Sequence, residues 1–454
     1  MTTSTDPASS TTAATEGGET VAQVVAPLLD SLLRSRPAVR LSFWDGSVIE
    51  PPGRAAAGTV HIRSADAVRR ILWAPGELGL GRAYVSGDID LDGNMIDLVA
   101  ALRDAVPRAG LSARAVWPAI VAARRLGVVG SPPPPPQEEI RPRGWRHSLR
   151  RDAEVVSHHY DVGNEFYGLV LGPAMTYSCA YFASPDTGLA DAQAAKHELI
   201  CRKLGLHERR GLRLLDVGCG WGSMAMHAAK HHDAQVVAIT ISKEQAEHAL
   251  RRVIRAGLGG RVEIRLQDYR ELQGEQFDAI SSVGMFEHVG RAKTEQYFST
   301  LRSLLGSEGR LLNHAISSVD GSRLPKRSFM YRFVFPDGEL ADVGDVVLAM
   351  EGAGFEVRDV QSLREHYAST LRAWVGNLES DWDRAVELVG AARARVWRLY
   401  MAGSAVGFED GGINVHQVLG VVPSPSGSSG MPATRDSWRV VADTERSPRS
   451  RSDL

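Results

Sequence analysis

The sequence predicts an α/β fold, a mostly parallel sheet flanked by helices, with a smaller α+β domain ahead of it. Three observations carry this. From about residue 150, short apolar runs alternate with stretches of helical spacing: LRLLDVG, QVVAIT, VEIRLQ, FDAISSVG and RLLNHAI, the pattern of βαβ units. One of these runs, Leu212 to Leu215, leads through Asp216 into a glycine-rich turn, Gly218-Cys219-Gly220-Trp221-Gly222, which opens a helix with apolar residues at Met224, Ala225 and Ala228. Such strand-to-helix turns sit where open α/β sheets bind ligands. Finally, a rigid polyproline run, Pro132 to Pro136, separates this half from one with different patterning.

At 454 residues the chain is too long for one ordinary core. Its 52 basic and 54 acidic side chains leave a net charge of −2, so no global field draws it to a polyanion. No apolar run reaches the roughly 18 residues of a membrane span. The Ser/Thr-rich start lacks the basic and apolar regions of a secretory signal. Three cysteines, Cys179, Cys201 and Cys219, lack metal-ligand spacing in the chain, which argues against a disulfide framework and against structural zinc. A cytoplasmic protein is the expectation.

Taken in order, residues 1–20 and 424–454 are poor in large apolar side chains and read as disordered tails. In 21–125, VAQVVAPLLDSLL suggests a helix, RLSFWDGS and GTVHIRS suggest strands around Asp-Gly turns, and ADAVRRILWAP and MIDLVAALRDAV suggest helices. Gly46, Gly81, Gly87 and Gly93 fall in expected turns. Residues 126–150 form a Pro- and Arg-rich linker that runs into the second domain, 151–423. In RPRGWRHSLRR, Arg141, Arg143, Arg146, Arg150 and Arg151 surround Trp145. That composition suits anionic headgroups at a membrane interface, with a solvated linker as the alternative.

The glycine spacing is G-x-G-x-G, which lowers the dinucleotide reading, and three glycines alone fit a tight βα turn equally. The string DVGCGWG, however, resembles motif I of class I S-adenosylmethionine-dependent methyltransferases. That resemblance implies a Rossmann-like catalytic domain with Asp216, Gly218, Gly220 and Gly222 beside the cofactor. Where such enzymes usually carry an acid at the end of the second strand, this chain has VVAITISKEQ, with Thr240 and Gln245 as the polar groups.

Four more stretches, HHYDVGNEFYGLVLGPAMTYSCAYF, SSVGMFEHVG, GRLLNHAI and LREHYASTLRAW, resemble the cyclopropane-fatty-acyl-phospholipid synthase family, which includes the mycolic acid cyclopropane synthases. The resemblance covers about residues 150–420. It implies cofactor contacts at Tyr177, Ser178, Gly218, Gly220, Thr240, Gln245 and Tyr269. It also implies a bicarbonate ion held by Cys179, Glu287, His314, Tyr367 and the backbone of Ile316. Taken singly, Cys179 reads as a small buried apolar residue, His314 as a satisfied polar residue and Glu287 as an acid at a helix start. Their joint placement at strand ends favours function.

Chemistry gives the set a rationale. An alkene is a poor nucleophile, so the methyl donor must be held close and in line, and attack leaves a carbocation on the lipid. Water must be excluded, aromatic faces can meet the cation, and a base must then take a proton. Tyr177, Tyr181, Phe182, Phe286 and Tyr367 are the candidate aromatics.

FWDGS, YVSGDIDLDG, VFPDGELADVG, LYMAGSAVGFE, INVHQVLGV and Asn313 before His314 look most like the actinobacterial branch that converts oleoyl phospholipid to a 10-methylene stearoyl chain, ahead of a reductase that yields 10-methyl stearate (tuberculostearate). Methylene and cyclopropane products both stay open. The implied partners are a phospholipid with an unsaturated acyl chain, the inner membrane face contacted peripherally, and a second copy of the chain through a lipid-presenting or dimerising N-terminal domain. Nucleic acid is not expected, since no basic-aromatic stripe runs along the catalytic half. The rival readings are a methyltransferase of a sterol or quinone and a cofactor-sensing module.

Overall fold

The computed structural model describes residues 18–33, 35–51, 53, 56–105, 116–140, 162–321, 324–336 and 338–439. They form two compact units divided between Pro136 and Gln137. The arginine-rich stretch 141–151, including Trp145, lies outside the described residues, as do 1–17 and 440–454.

In the first unit a four-stranded sheet has the order β2-β1-β3-β4, with β1 (Arg40–Phe43), β2 (Val48–Ile49), β3 (Gly58–Ile62) and β4 (Ile89–Gly93). β1 and β3 run parallel and the other pairs antiparallel. The FWDGS hairpin turns on Gly46 at φ +83°, and Asp45 accepts hydrogen bonds from the Ser47 amide and from the Val21 amide. That second bond ties the hairpin to the helix Val21–Leu32, which opens with a capping box from Thr20 to Gln23. Val25, Leu41, Phe43, Val60 and Leu98 fill the core. One expectation changes here. GELGLGRAYV is the helix Glu77–Val85, with Gly81 buried inside it rather than in a turn. A Cβ on Gly79 would lie 2.2 Å from the Ala74 carbonyl oxygen, so glycine lets this helix close on the preceding one. Glycines kept for close packing imitate a loop signal.

The second unit is built on a seven-stranded sheet of order β10-β11-β9-β8-β5-β6-β7. Its strands are β5 (Arg213–Val217), β6 (Gln235–Thr240), β7 (Val262–Leu266), β8 (Phe277–Val283), β9 (Leu305–Ser317), β10 (Glu356–Ser362) and β11 (Asn414–Val421). All neighbours are parallel except β11, which is antiparallel to both β9 and β10. β5 and β6 are buried on both faces, which is why they read as continuous apolar runs. β10 and β11 escape that reading because EVRDVQS and NVHQVLGV interleave polar residues.

The expected tail at 424–454 needs correction for its first part. Residues 424–439 are described, and Trp438 is buried in the cluster containing Leu199 and Leu204. Lys203 Nζ lies 5.9 Å from its ring centroid, and Arg435 pairs with Asp359 at 2.9 Å. One aromatic anchor with two charged contacts orders a stretch whose composition is loop-like.

Candidate active site

The site starts at the C-terminal end of β5. The Gly218 and Cys219 amides both donate to the Ile239 carbonyl at the end of β6, at 3.0 and 2.9 Å, which draws the turn across the strand pair. Gly218, Gly220 and Gly222 all have positive φ, +73°, +54° and +80°. Their surroundings separate their tasks. A Cβ on Gly220 would meet nothing within 4 Å, whereas one on Gly222 would lie 3.2 Å from Ala249 Cβ. Gly222 begins the helix Ser223–His232 and does not line the cleft, so its expected cofactor contact is corrected to helix packing.

The cleft holds about 1510 Å³ of free space, part of it open to solvent. Every other expected cofactor residue lines it: Tyr177, Ser178, Asp216, Gly218, Gly220, Thr240, Gln245 and Tyr269. At the end of β6 the Thr240 hydroxyl donates to Gln245 Oε1 at 2.9 Å, fixing the amide that replaces the usual acid. Asp216 Oδ1 accepts from the Ser281 hydroxyl at 2.7 Å, while its buried Oδ2 has no hydrogen-bond partner among the described residues. Burial raises the Asp216 carboxyl to about 6 despite that bond.

Sequence reasoning missed Lys196. It is only 1% exposed, lines the cleft and donates to Ser178 Oγ at 2.9 Å. Burial lowers it to about 7, against the fields of Cys179 and Asp216. Buried lysines are rare, and nothing in the chain's composition marks this one out from the lysines that stay exposed. A buried amine and a buried carboxyl in one cleft suit the carboxylate and ammonium of an amino-acid moiety. The residues therefore fit S-adenosylmethionine.

The expected catalytic residues lie outside the cleft lining, in two local groups. β9 carries His314 and Ile316, two positions apart and so on one face. The Ile316 amide donates to Glu287 Oε1 at 2.8 Å. This bond corrects the expected role of Ile316: its N–H orients Glu287 and is not free to hold an anion. Gln417 on β11 stands opposite His314 in the register, and its Nε2 donates to His314 Nδ1 at 3.3 Å. With that assignment Nε2 of His314 carries the proton. Glu287 Oε2 and His314 Nε2 are both buried without a hydrogen-bond partner among the described residues. Burial raises Glu287 to about 7 and, with the fields of Lys196, Lys203 and His416, holds His314 well below its usual range. Cys179 is fully buried, its thiol pushed up by burial and directed to the Ala180 and Leu363 carbonyls at 3.2 and 3.6 Å. It is a neutral donor here. The Leu363 carbonyl also accepts from the amide of Tyr367, which brings Cys179 and Tyr367 to the start of one helix, Arg364–Ser380. An unsatisfied acceptor and an unsatisfied donor suit a small protonated oxyanion, so the residues fit bicarbonate.

The aromatic set is only partly as expected. The Tyr177 hydroxyl donates to that of Tyr400 at 2.9 Å, and its ring packs against Trp374 and Trp397 at 5.3 and 5.8 Å. Tyr367 packs on Trp374 and Phe408. Tyr181 and Phe182 instead pack against His366, outside the cleft lining, and Phe286 is core, against Tyr297 and Phe298. Trp374, Trp397 and Tyr400 take their place. Their spacing on long helices is that of ordinary core residues, which hid them. A smaller cavity of about 350 Å³, lined by Phe333, Val334, Trp397 and Tyr400 among others, shares Val334 with the cleft.

The family model for mycolic acid cyclopropane synthetase matches residues 147–418. The chain belongs to this family. A probable fatty acid methyltransferase of Mycobacterium tuberculosis is 42% identical over 87% of this chain and 93% of its own. The cyclopropane-fatty-acyl-phospholipid synthase of Escherichia coli is 34% identical over 80% of this chain and 88% of its own. Among solved structures, the mycolic acid cyclopropane synthase CmaA1 complexed with SAH and CTAB aligns with a TM-score of 0.56 and 35% identity, over 59% of this chain and 98% of its own. The second unit thus has the class I S-adenosylmethionine-dependent methyltransferase fold, and this member of the mycolic acid cyclopropane synthetase family is an S-adenosylmethionine-dependent methyltransferase acting on lipid acyl chains. No described helix is long and apolar enough to cross a membrane.

Proposed function

We propose that the chain methylates the cis double bond of an oleoyl chain carried by a phospholipid and releases a 10-methylene stearoyl chain, with bicarbonate as the base. The carrying observation is the buried, unpartnered pair Glu287 Oε2 and His314 Nε2 in the same domain as the motif I cleft. S-adenosylmethionine supplies the electrophilic methyl, and bicarbonate supplies a base that does not bring in a water nucleophile. The rest falls to the protein. Asp216 and Lys196 grip the cofactor's amino-acid end, Gly220 leaves room for it, and Thr240 with Gln245 offers an amide to the ribose. Glu287, held by the Ile316 amide, would accept a hydrogen bond from the anion's O–H and so orient it, and the His314 Nε2–H would donate to its oxygen. Tyr177, Trp374, Trp397 and Tyr400 form an aromatic wall that excludes water and presents π faces to the cationic acyl chain.

The name of the 42% identical relative, a probable fatty acid methyltransferase, supports methyl transfer to an acyl chain, the step that the methylene and cyclopropane products share. Gas chromatography with mass spectrometry of lipids from a host expressing the chain and supplied with oleate decides between them. A C19 chain with an exocyclic methylene, a substrate for a reductase, is expected; a C19 cyclopropane overturns the methylene assignment, and an unaltered oleoyl pool overturns the lipid reading. Docking to the bilayer is assigned to Arg141, Arg143, Arg146, Arg150 and Arg151 with Trp145. Replacing the five arginines should weaken sedimentation with anionic vesicles, and unchanged sedimentation removes this role.

A further inference from the structure

Outside the cleft, a group of metal-ligating side chains joins two helices of the catalytic unit. Cys201 Sγ and one ring nitrogen each of His227 and His232 all lie within 4.8 Å of one another. Glu198 and Cys201 stand three residues apart on one face of the helix Leu189–Lys203, and the histidines come from the helix Ser223–His232. Both imidazole Nε2 atoms converge on one oxygen, Glu198 Oε2, at 2.8 Å for His232 and 3.3 Å for His227. The other carboxylate oxygen, Oε1, is held by Arg202 Nε at 2.6 Å.

A carboxylate pairing with two histidines explains part of this arrangement but gives no reason for a thiol among the converging atoms. Two imidazoles and a thiol directed at one point, with the Glu198 carboxylate bonded to both imidazoles, make the mixed nitrogen and sulfur donor set that tetrahedral zinc-class ions take, an oxygen filling the fourth position. The charges also match. A thiolate from Cys201 and the neighbouring Glu198 carboxylate neutralise a divalent ion, while Arg202 supplies the hydrogen bond that orients that carboxylate. The side chains of His232 and His227 are 7% and 13% exposed, which leaves a path from solvent. Reading cysteine spacing along the chain excludes zinc because the ligands come from two helices and only one is a cysteine.

We propose that Cys201, His227 and His232 bind a divalent transition-metal ion of the zinc class, with Glu198 beside the imidazoles as its carboxylate partner. Binding exchanges the Cys201 thiol proton, released to solvent, for the metal–sulfur bond; no electrons move. The ion clamps together two helices that both reach the cofactor cleft, one through Lys196 and His197 and the other through Ser223 and Met224. It lies outside the cleft lining and takes no part in methyl transfer.

The test uses the full, tag-free chain titrated with cobalt(II) as a spectroscopic stand-in for zinc. A single equivalent retained through gel filtration, with a sulfur-to-cobalt charge-transfer band, is expected. Cys201→Ser should abolish that band, and His232→Gln should weaken binding by at least about tenfold. Zinc should raise the melting temperature of the wild-type chain and leave that of Cys201→Ser unchanged. No band in the wild-type chain overturns the site, as does a band that survives in a folded Cys201→Ser variant, since the sulfur would then come from Cys179 or Cys219.

Discussion

Glu287→Gln separates the cost of the buried carboxyl from its use. The amide oxygen can keep the hydrogen bond from the Ile316 amide, now 2.8 Å long, while the charge and the unpartnered Oε2 acceptor are lost. Glu287 is raised from 4.5 to about 7, chiefly by burial. A raised carboxyl binds its proton more tightly in the folded chain, so its stabilising effect is complete below pH 4.5 and is lost as the pH climbs to about 7. The shift corresponds to roughly 3 kcal/mol. Glutamine does not titrate. In bicarbonate-free buffer and without cofactor, the variant should therefore gain roughly 3 kcal/mol on the wild-type chain between pH 4.5 and pH 8, read from paired urea denaturation curves. Its turnover of oleoyl phospholipid should fall by about a hundredfold to ten-thousandfold, the usual contribution of proton transfer. A stability difference that is the same at both pH values would refute the argument that burial strains the ionised carboxylate. Undiminished turnover would refute its use.

Three further outcomes follow from the same geometry. Lys196→Met should weaken S-adenosylhomocysteine binding by about ten- to a hundredfold in calorimetry, the worth of a charged hydrogen bond. Because burial lowers Lys196 to about 7, its penalty is full below that pH and is relieved as the pH rises toward 10.5, so the variant's stability advantage should shrink between pH 6 and pH 10. Gly220→Ala and Gly222→Ala both place a side chain at positive φ, at about 1–2 kcal/mol. Only the second also presses on Ala249, so Gly222→Ala should melt lower while Gly220→Ala loses more cofactor affinity. Lys203→Met strands Asp359, now 2.8 Å from the buried amine, and should cost about 3–5 kcal/mol in denaturant titration, less whatever Arg435 recovers.

The features legible in the chain were those whose cause is local. DVGCGWG announces its turn because positive φ at Gly218 and Gly220 demands glycine at those positions. β5 and β6 announce themselves because burial on both faces keeps them apolar except at their ends and at Asp216, which the cleft uses. What stayed hidden depends on partners distant in sequence. Gln417 sets the proton on His314 only because β11 runs antiparallel to β9 and places the two side chains opposite each other. Ile316 turns from anion ligand to positioning residue because its amide faces Glu287 across twenty-nine residues of chain. Gly222 and Gly81 show the reverse error: Gly222, packed against Ala249, passes for a ligand contact, and Gly81, buried in a helix, passes for a turn.

β9 explains why cofactor cleft and proton-handling group share one domain without sharing a wall. It pairs on one side with β8, which runs on through Val283 and Gly284 into the cleft lining, and on the other with β11, which supplies Gln417. The strand is buried through His314, so polar side chains there are costly: each unpartnered buried group forfeits about 1–3 kcal/mol. Asn313 Oδ1, His314 Nε2, Gln417 Oε1 and Glu287 Oε2 all lack a hydrogen-bond partner among the described residues. Set against a total folding stability of about 5–15 kcal/mol, four such groups, with Asn313 on the sheet face opposite His314, are an expense that apolar substitution would remove. The cost at Glu287 and His314 is tolerable if a bound anion satisfies both during turnover. Bicarbonate in the buffer should accordingly raise the stability of the wild-type chain at pH 8 and do so less in Glu287→Gln, a comparison that reads the anion site without measuring catalysis.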